Sequence, residues 1–343
     1  MTLKGLQMLR CLGCCFVIYA HLNPQNMIGF FSLDIFFLIS SFFMAMLITM
    51  PSKTQESFTK DRVARALPLY WVLTLLVFLI AMFAPSLVSA TTVNYGNLLK
   101  SLLFIPYYKE NGLVDPVLAV GWTINYEIMF YLFCIASFYF RIAWRIPFVM
   151  LGVLTLYVVA NCFKTINAPM FFYSAYYLLE FPAGMMLWVL YSRYRNQILL
   201  SQSKSLTLVV LPLVFMIWAD WRWELEVSWL LTFTLPSLVL IWGTLCYEPY
   251  IPSNLVTRFA MRVGDASYSI YLTHMFIIEG MRKVMPRLID GFDPMLFSNA
   301  ALTFVLCIFV GLLVDAYFDK PFVSGFRGWL KGRGRLVVGS VKP

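Results

Sequence analysis

The chain has 343 residues, of which 61% are hydrophobic and 13% charged, with a mean hydropathy of +0.77. A soluble domain carries about 25% charged residues, so the composition excludes one and indicates an all-α, polytopic membrane bundle. The net charge of +9 would suit a nucleic-acid binder, but its distribution excludes that reading too. The seven cysteines are odd in number and fall in apolar runs, so neither a disulfide framework nor a metal site is expected.

Apolar runs fall at about 2–22, 28–50, 68–89, 118–140, 146–163, 169–192, 205–219, 228–246, 265–281 and 297–317, which predicts about ten spans. The first run has no small-residue cleavage site after it and reads as an uncleaved helix. With the N-terminus inside, 19 of the 26 lysines and arginines fall on the cytoplasmic side, so both termini are expected in the cytoplasm. No internal repeat or flexible linker is apparent. The expected organisation is one membrane domain over 1–321 and a short basic cytoplasmic tail over 322–343.

The first two runs form a predicted hairpin about a turn at Pro24-Gln25-Asn26, and they hold three ionisable groups, Arg10, His21 and Asp34. Such groups within a span are expensive and therefore mark function. Arg10 and His21 share one helix face about 16 Å apart in depth. The hairpin is expected to bring His21 and Asp34 to a similar depth, as a base and a carboxylate. Next, FTKDRVARALPLYW places Arg62 and Arg65 one turn apart, with Pro68 predicted to open the third span. They read either as ordinary orientation charges or as a phosphate clamp. In VLAVGWTINYEIMFYLF, Glu127 lies about ten residues into a predicted span and Tyr131 one turn below. Glu180, in YYLLEFPAGMM, reads as a structural group between helices, with Gly184 easing close packing. The polar stretch VGDASYSIYLTHMF holds Tyr268 and His274. A lone helical histidine more often packs than reacts, so His274 joins the binding residues rather than serving as the base.

Together these stretches resemble the membrane acyltransferase 3 family of bacterial polysaccharide O-acyltransferases. The matching motifs are LRCLGCCFVIYAH, SLDIFFLISSFF, DRVARALPLYW, GWTINYEIMFY, LLEFPAGM, ASYSIYLTH and DKPF, in family order over 10–321. GWTINYE is most similar to the exopolysaccharide acetyltransferase branch. Ser40-Ser41 stands where the family usually has Ser-Gly, and a cysteine replaces an alanine near the start of the first helix.

The resemblance implies transfer of an acyl group, usually acetyl, from coenzyme A to a hydroxyl of a cell-surface or lipid-linked glycan. It implies a bacterial inner-membrane enzyme with no bound cofactor, acetyl-CoA being a donor substrate. By analogy His21 is catalytic, Arg10 belongs to its motif, and Arg62 and Arg65 lie where the coenzyme is held. The chemistry agrees. A hydroxyl attacking a thioester needs a base, and imidazole titrates in the useful range. Asp34 or Glu127 is the expected orienting carboxylate. Arg10, Tyr131 and Tyr268 are candidate oxyanion donors. The alternative is a proton-coupled transporter, which also uses buried His, Asp and Glu. It should show repeated halves or matching broken helices, and the chain shows neither.

Overall fold

The computed structural model describes residues 3–23, 28–88, 92–195, 200–221 and 229–328. It is helical throughout, without a strand among the described residues. In order come α1 (Lys4–Leu22), α2 (Ile28–Ile48), α3 (Gln55–Phe83), α4 (Tyr95–Leu102), α5 (Trp122–Ser137), α6 (Ile142–Cys162) and α7 (Ala168–Tyr173). They are followed by α8 (Tyr177–Tyr194), α9 (Gln202–Trp221), α10 (Leu235–Tyr247), α11 (Leu255–Asp265), α12 (Ser267–Lys283), α13 (Met285–Leu288) and α14 (Phe297–Val314). Among the described residues eight helical segments are long and apolar enough to cross a membrane. The predicted spans at 169–192 and 265–281 correspond to α8 and α12, shorter helices whose polar residues turn inward: Glu180 in one, Ser269 and His274 in the other. The hairpin turn at Pro24–Asn26 and the tail beyond 328 lie outside the described residues.

The helix ends follow from side chains near them. Both carboxylate oxygens of Glu248 accept from the first amides of α1, at Lys4 (2.7 Å) and Gly5 (2.8 Å). These are N–H groups that no intrahelical carbonyl can satisfy. Thr54, Asn94, Asn167 and Asn254 cap α3, α4, α7 and α11 in the same way. Pro68 does not open a helix, as the sequence led us to expect. It sits inside the 29-residue α3, which starts earlier because Thr54 caps it. Arg62 and Arg65 therefore belong to the same rigid helix as the apolar span above them.

The bundle is organised around α2. It is buried against its neighbours over most of its surface, with Asp34, Ser40 and Ser41 among its apolar residues. On one side Phe37 joins Tyr126, Phe130 and Phe181 of α5 and α8. On another, Ile35 and Phe42 join Leu6 of α1 with Leu240 and Ile241 of α10. Gly184 permits the tightest of these approaches: a Cβ there would stand 2.0 Å from the Ser41 hydroxyl and 2.4 Å from the Leu38 carbonyl oxygen. The outer faces of α3 and α6 stay apolar and exposed, at Leu76, Leu79, Leu151 and Val158, as lipid requires.

Candidate active site

Two polar regions lie along α1. At the end where α1 begins, α1, α2, α3, α5 and α12 enclose a cavity of about 490 Å³. Arg10, Arg62, Arg65, Glu127, Tyr131 and Tyr268 all line it, together with Ser40, Asp265, Ser267, Lys320 and Arg327. Arg10 donates to the Ser267 hydroxyl (2.7 Å) and to Gln7 (3.4 Å). Arg65 donates to Asp319 and to the Asp265 carbonyl, each at 3.4 Å, and its guanidinium lies 5.6 Å from the Tyr268 ring centre. Arg62 sits 5.9 Å from the ring centres of Phe58 and Tyr131, and its buried Nε has no partner among the described residues. Glu127 accepts from the Ser40 hydroxyl at 2.7 Å. Tyr268 donates its hydroxyl to the Ala66 carbonyl, which leaves that oxygen in the wall of the cavity. Glu127 is nearer its helix start than expected, because α5 begins at Trp122 after a single tight turn at Ala119–Gly121. The bond to Ser40 nevertheless sets it deep in the bundle.

At the other end of α1 stands the second region. The rings of His21 and His274 meet edge to face with centres 4.9 Å apart. Nδ1 of His21 faces the Val17 carbonyl at 2.9 Å, and Nδ1 of His274 faces the Tyr271 carbonyl at 2.6 Å. A carbonyl oxygen only accepts, so in the neutral rings both hydrogens are on Nδ1 and both lone pairs are on Nε2. Nε2 of His274 is buried without a partner among the described residues. His21 is half-buried. Arg282 donates to the carbonyls of His21 (2.5 Å) and Leu22 (3.4 Å), holding the last turn of α1 in place.

Asp34 is elsewhere. Its Oδ1 accepts from Thr234 (3.0 Å) and Trp229 (3.4 Å), and its carboxyl lies beside that of Glu180 between α2, α8 and α10. No hydrogen bond joins it to His21. The Val17 carbonyl, one turn back on the same helix, faces Nδ1 of His21, where the sequence led us to expect a carboxylate, Asp34 or Glu127. Cys11 and Cys14 stand at CxxC spacing, but Cys14 is turned toward the Ser267 carbonyl (3.7 Å), and no group of three potential metal ligands occurs among the described residues.

Several site residues escaped sequence reading. Ser40 was noted for its motif alone, yet it holds Glu127. Asp319 pairs with Arg65, and Asp315 pairs with Arg262 (2.5 Å) and Lys320 (2.8 Å). Both acids project from a π-helical turn at Asp315–Asp319, a local widening frequent at functional sites. The DKPF motif was the available signal.

Comparison with known proteins identifies the family. A family model described as an acyltransferase domain matches residues 3–316. The chain is 30% identical over 318 residues to the exopolysaccharide production protein ExoZ of Rhizobium meliloti, covering 91% of this chain and 93% of that one. No solved structure matches the chain.

Proposed function

The chain belongs to the acyltransferase 3 family, as a multi-pass membrane acyltransferase, and from that premise we propose that it moves an acetyl group from acetyl-CoA to a hydroxyl of a glycan. The observation that carries the donor is a spacing. Three arginines line one cavity, and His21 stands 11 residues beyond Arg10 on the same helix, about 16 Å away along the axis. In an acyl-CoA about thirteen bonds separate the nearest phosphate from the sulfur. Extended at roughly 1.2 Å per bond, they span ~16 Å. Phosphates held by the arginines thus bring a thioester to the imidazole.

Arg10, Arg62 and Arg65 suit phosphate because guanidinium groups make two parallel charge-assisted bonds to it. Lys320 and Arg327 add positive charge to the rim. Glu127, held by Ser40, opposes that charge within the cavity and so limits the ways an anionic donor can lie. At the far end, Nε2 of His21 removes the proton from the acceptor hydroxyl as its oxygen attacks the thioester carbon. The carbon–sulfur bond breaks, and the proton passes to the departing sulfur. The acceptor is placed among glycans because the bacterial relative is an exopolysaccharide production protein.

The test is release of free coenzyme A by purified protein, given acetyl-CoA and a panel of oligosaccharides. Acceptor-dependent release by the wild type, lost in His21→Ala at equal protein level, is expected. A wild type that binds acetyl-CoA no better than background, or that releases nothing with any acceptor, overturns the reading.

A further inference from the structure

A wall of two aromatic rings separates the arginine-lined cavity from the imidazole pair. Phe36 lines the cavity, and its ring also packs on the apolar cluster around Cys14, Ile18 and Ile270 that underlies the histidines. Gly13 makes room for it: a Cβ there would approach the Phe36 ring to 3.0 Å. Gly13 lies between Arg10 and His21 on α1, so Phe36 fills the path that joins them. Across from it stands Tyr271, with ring centres 6.3 Å apart at 61°. That is the ordinary edge contact of two aromatic rings. Tyr271 lines the cavity on one side, and on the other its ring centre is 5.7 Å from that of His274.

The two rings are held differently. The Tyr271 hydroxyl donates to the Val120 carbonyl (3.0 Å) and accepts from the Thr123 hydroxyl (3.1 Å), which pins the ring. Phe36 has no polar handle and is fixed by packing alone. Of the pair, Phe36 is the ring that can turn about its side-chain torsions.

We propose that Phe36 and Tyr271 form an aperture between the donor cavity and His21, and that Phe36 sets the size of acyl group that reaches the base. The proposal rests on the acyl-CoA reading above. The thioester must enter between these rings, so the acyl chain and the terminal part of the donor arm turn Phe36 aside about its side-chain torsions. A two-carbon acyl group needs the least displacement. Each further methylene needs more, and the short side of the opening is closed by the pinned tyrosine. Once the carbonyl has passed, the reaction is the one already given: the hydroxyl oxygen bonds to the acyl carbon, the carbon–sulfur bond breaks, and the proton ends on the thiol.

The experiment uses the full chain in lipid nanodiscs with acetyl-, butyryl- and octanoyl-CoA, the oligosaccharide panel as acceptor, and binding of free coenzyme A as a control. In Phe36→Ala the ratio of kcat/KM for butyryl over acetyl is expected to rise at least about tenfold, the scale at which pockets discriminate methylenes. Phe36→Leu should give an intermediate rise. Phe36→Trp should lose acetyl transfer about tenfold or more while binding free coenzyme A within about twofold of wild type. Should Phe36→Ala fail to bind coenzyme A, its fold is lost and Phe36→Leu decides. An unchanged acyl preference in a variant that binds coenzyme A overturns the aperture alone. A wild type that binds no coenzyme A overturns both the aperture and the donor reading beneath it.

Discussion

The arginine cavity and the histidine pair stand toward opposite ends of α1, and their side chains are held in opposite ways. In the cavity most charges are fixed by a partner on another helix: Arg10 by Ser267, Arg65 by Asp319, Glu127 by Ser40. The imidazoles bond to carbonyls of their own helices and pack on each other. Cross-helix bonds make a rigid, preorganised recess, which suits binding of a large anion. Bonds through Nδ1 place the lone pair of each neutral ring on Nε2, which suits proton transfer. The difference favours the proposed division, with binding at one end of α1 and chemistry at the other.

Breaking the chemical end should have the largest effect. His21→Ala is expected to lower acyl transfer by about 10² to 10⁴, the usual worth of a general base. Binding of free coenzyme A, measured by calorimetry on the same preparation, should be unchanged, because the cavity does not include His21. Loss of binding together with turnover would erase the division of labour.

The complementary change breaks the binding end. Replacing both Arg62 and Arg65 by Gln removes two charged donors, each worth about 1.5–3 kcal/mol when paired with an anion. Affinity for coenzyme A should fall at least about tenfold. Lysine at either position should restore it only in part, since an ammonium lacks the planar fork. Intact affinity in the double Gln variant would return these arginines to plain orientation signals.

How much of this arrangement the sequence carried depends on whether a relation runs along a helix or across helices. The Arg10–His21 interval, the Arg62–Arg65 turn and Tyr131 one turn from Glu127 follow from the helical period and were readable. Partners across the bundle were not. Thr234 lies 200 residues from Asp34 and Ser40 lies 87 from Glu127, and packing alone decides those pairings. The same applies to the ring contact between His21 on α1 and His274 on α12. The position of Pro68 misled for a related reason. Proline marks a helix start by preference, but in a long buried span neighbouring helices compensate for the missing N–H.

Glu127→Gln sharpens the comparison from within the cavity. It preserves shape and the acceptor for Ser40 while removing a negative charge beside the arginines. Acyl transfer should drop by about tenfold, roughly 1.4 kcal/mol. Free coenzyme A should bind as well as before or better, because the change leaves the recess more positive. Weakened coenzyme binding would mean that the carboxylate builds the recess rather than directing what lies in it. In a proton-coupled carrier the same change would instead uncouple transport from pH, a result that vesicle flux measurements would reveal.

The smallest kinetic effect is expected at Asp34, and it tests whether buried charge alone identifies a catalytic group. Asp34 belongs to neither end: its carboxyl is tied to Thr234 and Trp229 and lies beside Glu180. Asn at this position keeps an oxygen to accept the Thr234 and Trp229 hydrogens and has almost the same volume. Its new amide can donate to the neighbouring Glu180 carboxyl. The His21 ring, oriented by the Val17 carbonyl, is untouched. Acetyl transfer by Asp34→Asn should therefore stay within about threefold of wild type, under 1 kcal/mol. Asp34→Leu removes the acceptor altogether and strands the buried Thr234 hydroxyl. It should lower the thermal midpoint of the purified protein, at a cost of about 1–3 kcal/mol for that donor. A loss of two orders of magnitude in Asp34→Asn, at an unchanged midpoint, would restore Asp34 to the catalytic machinery through a contact that forms only with substrate bound.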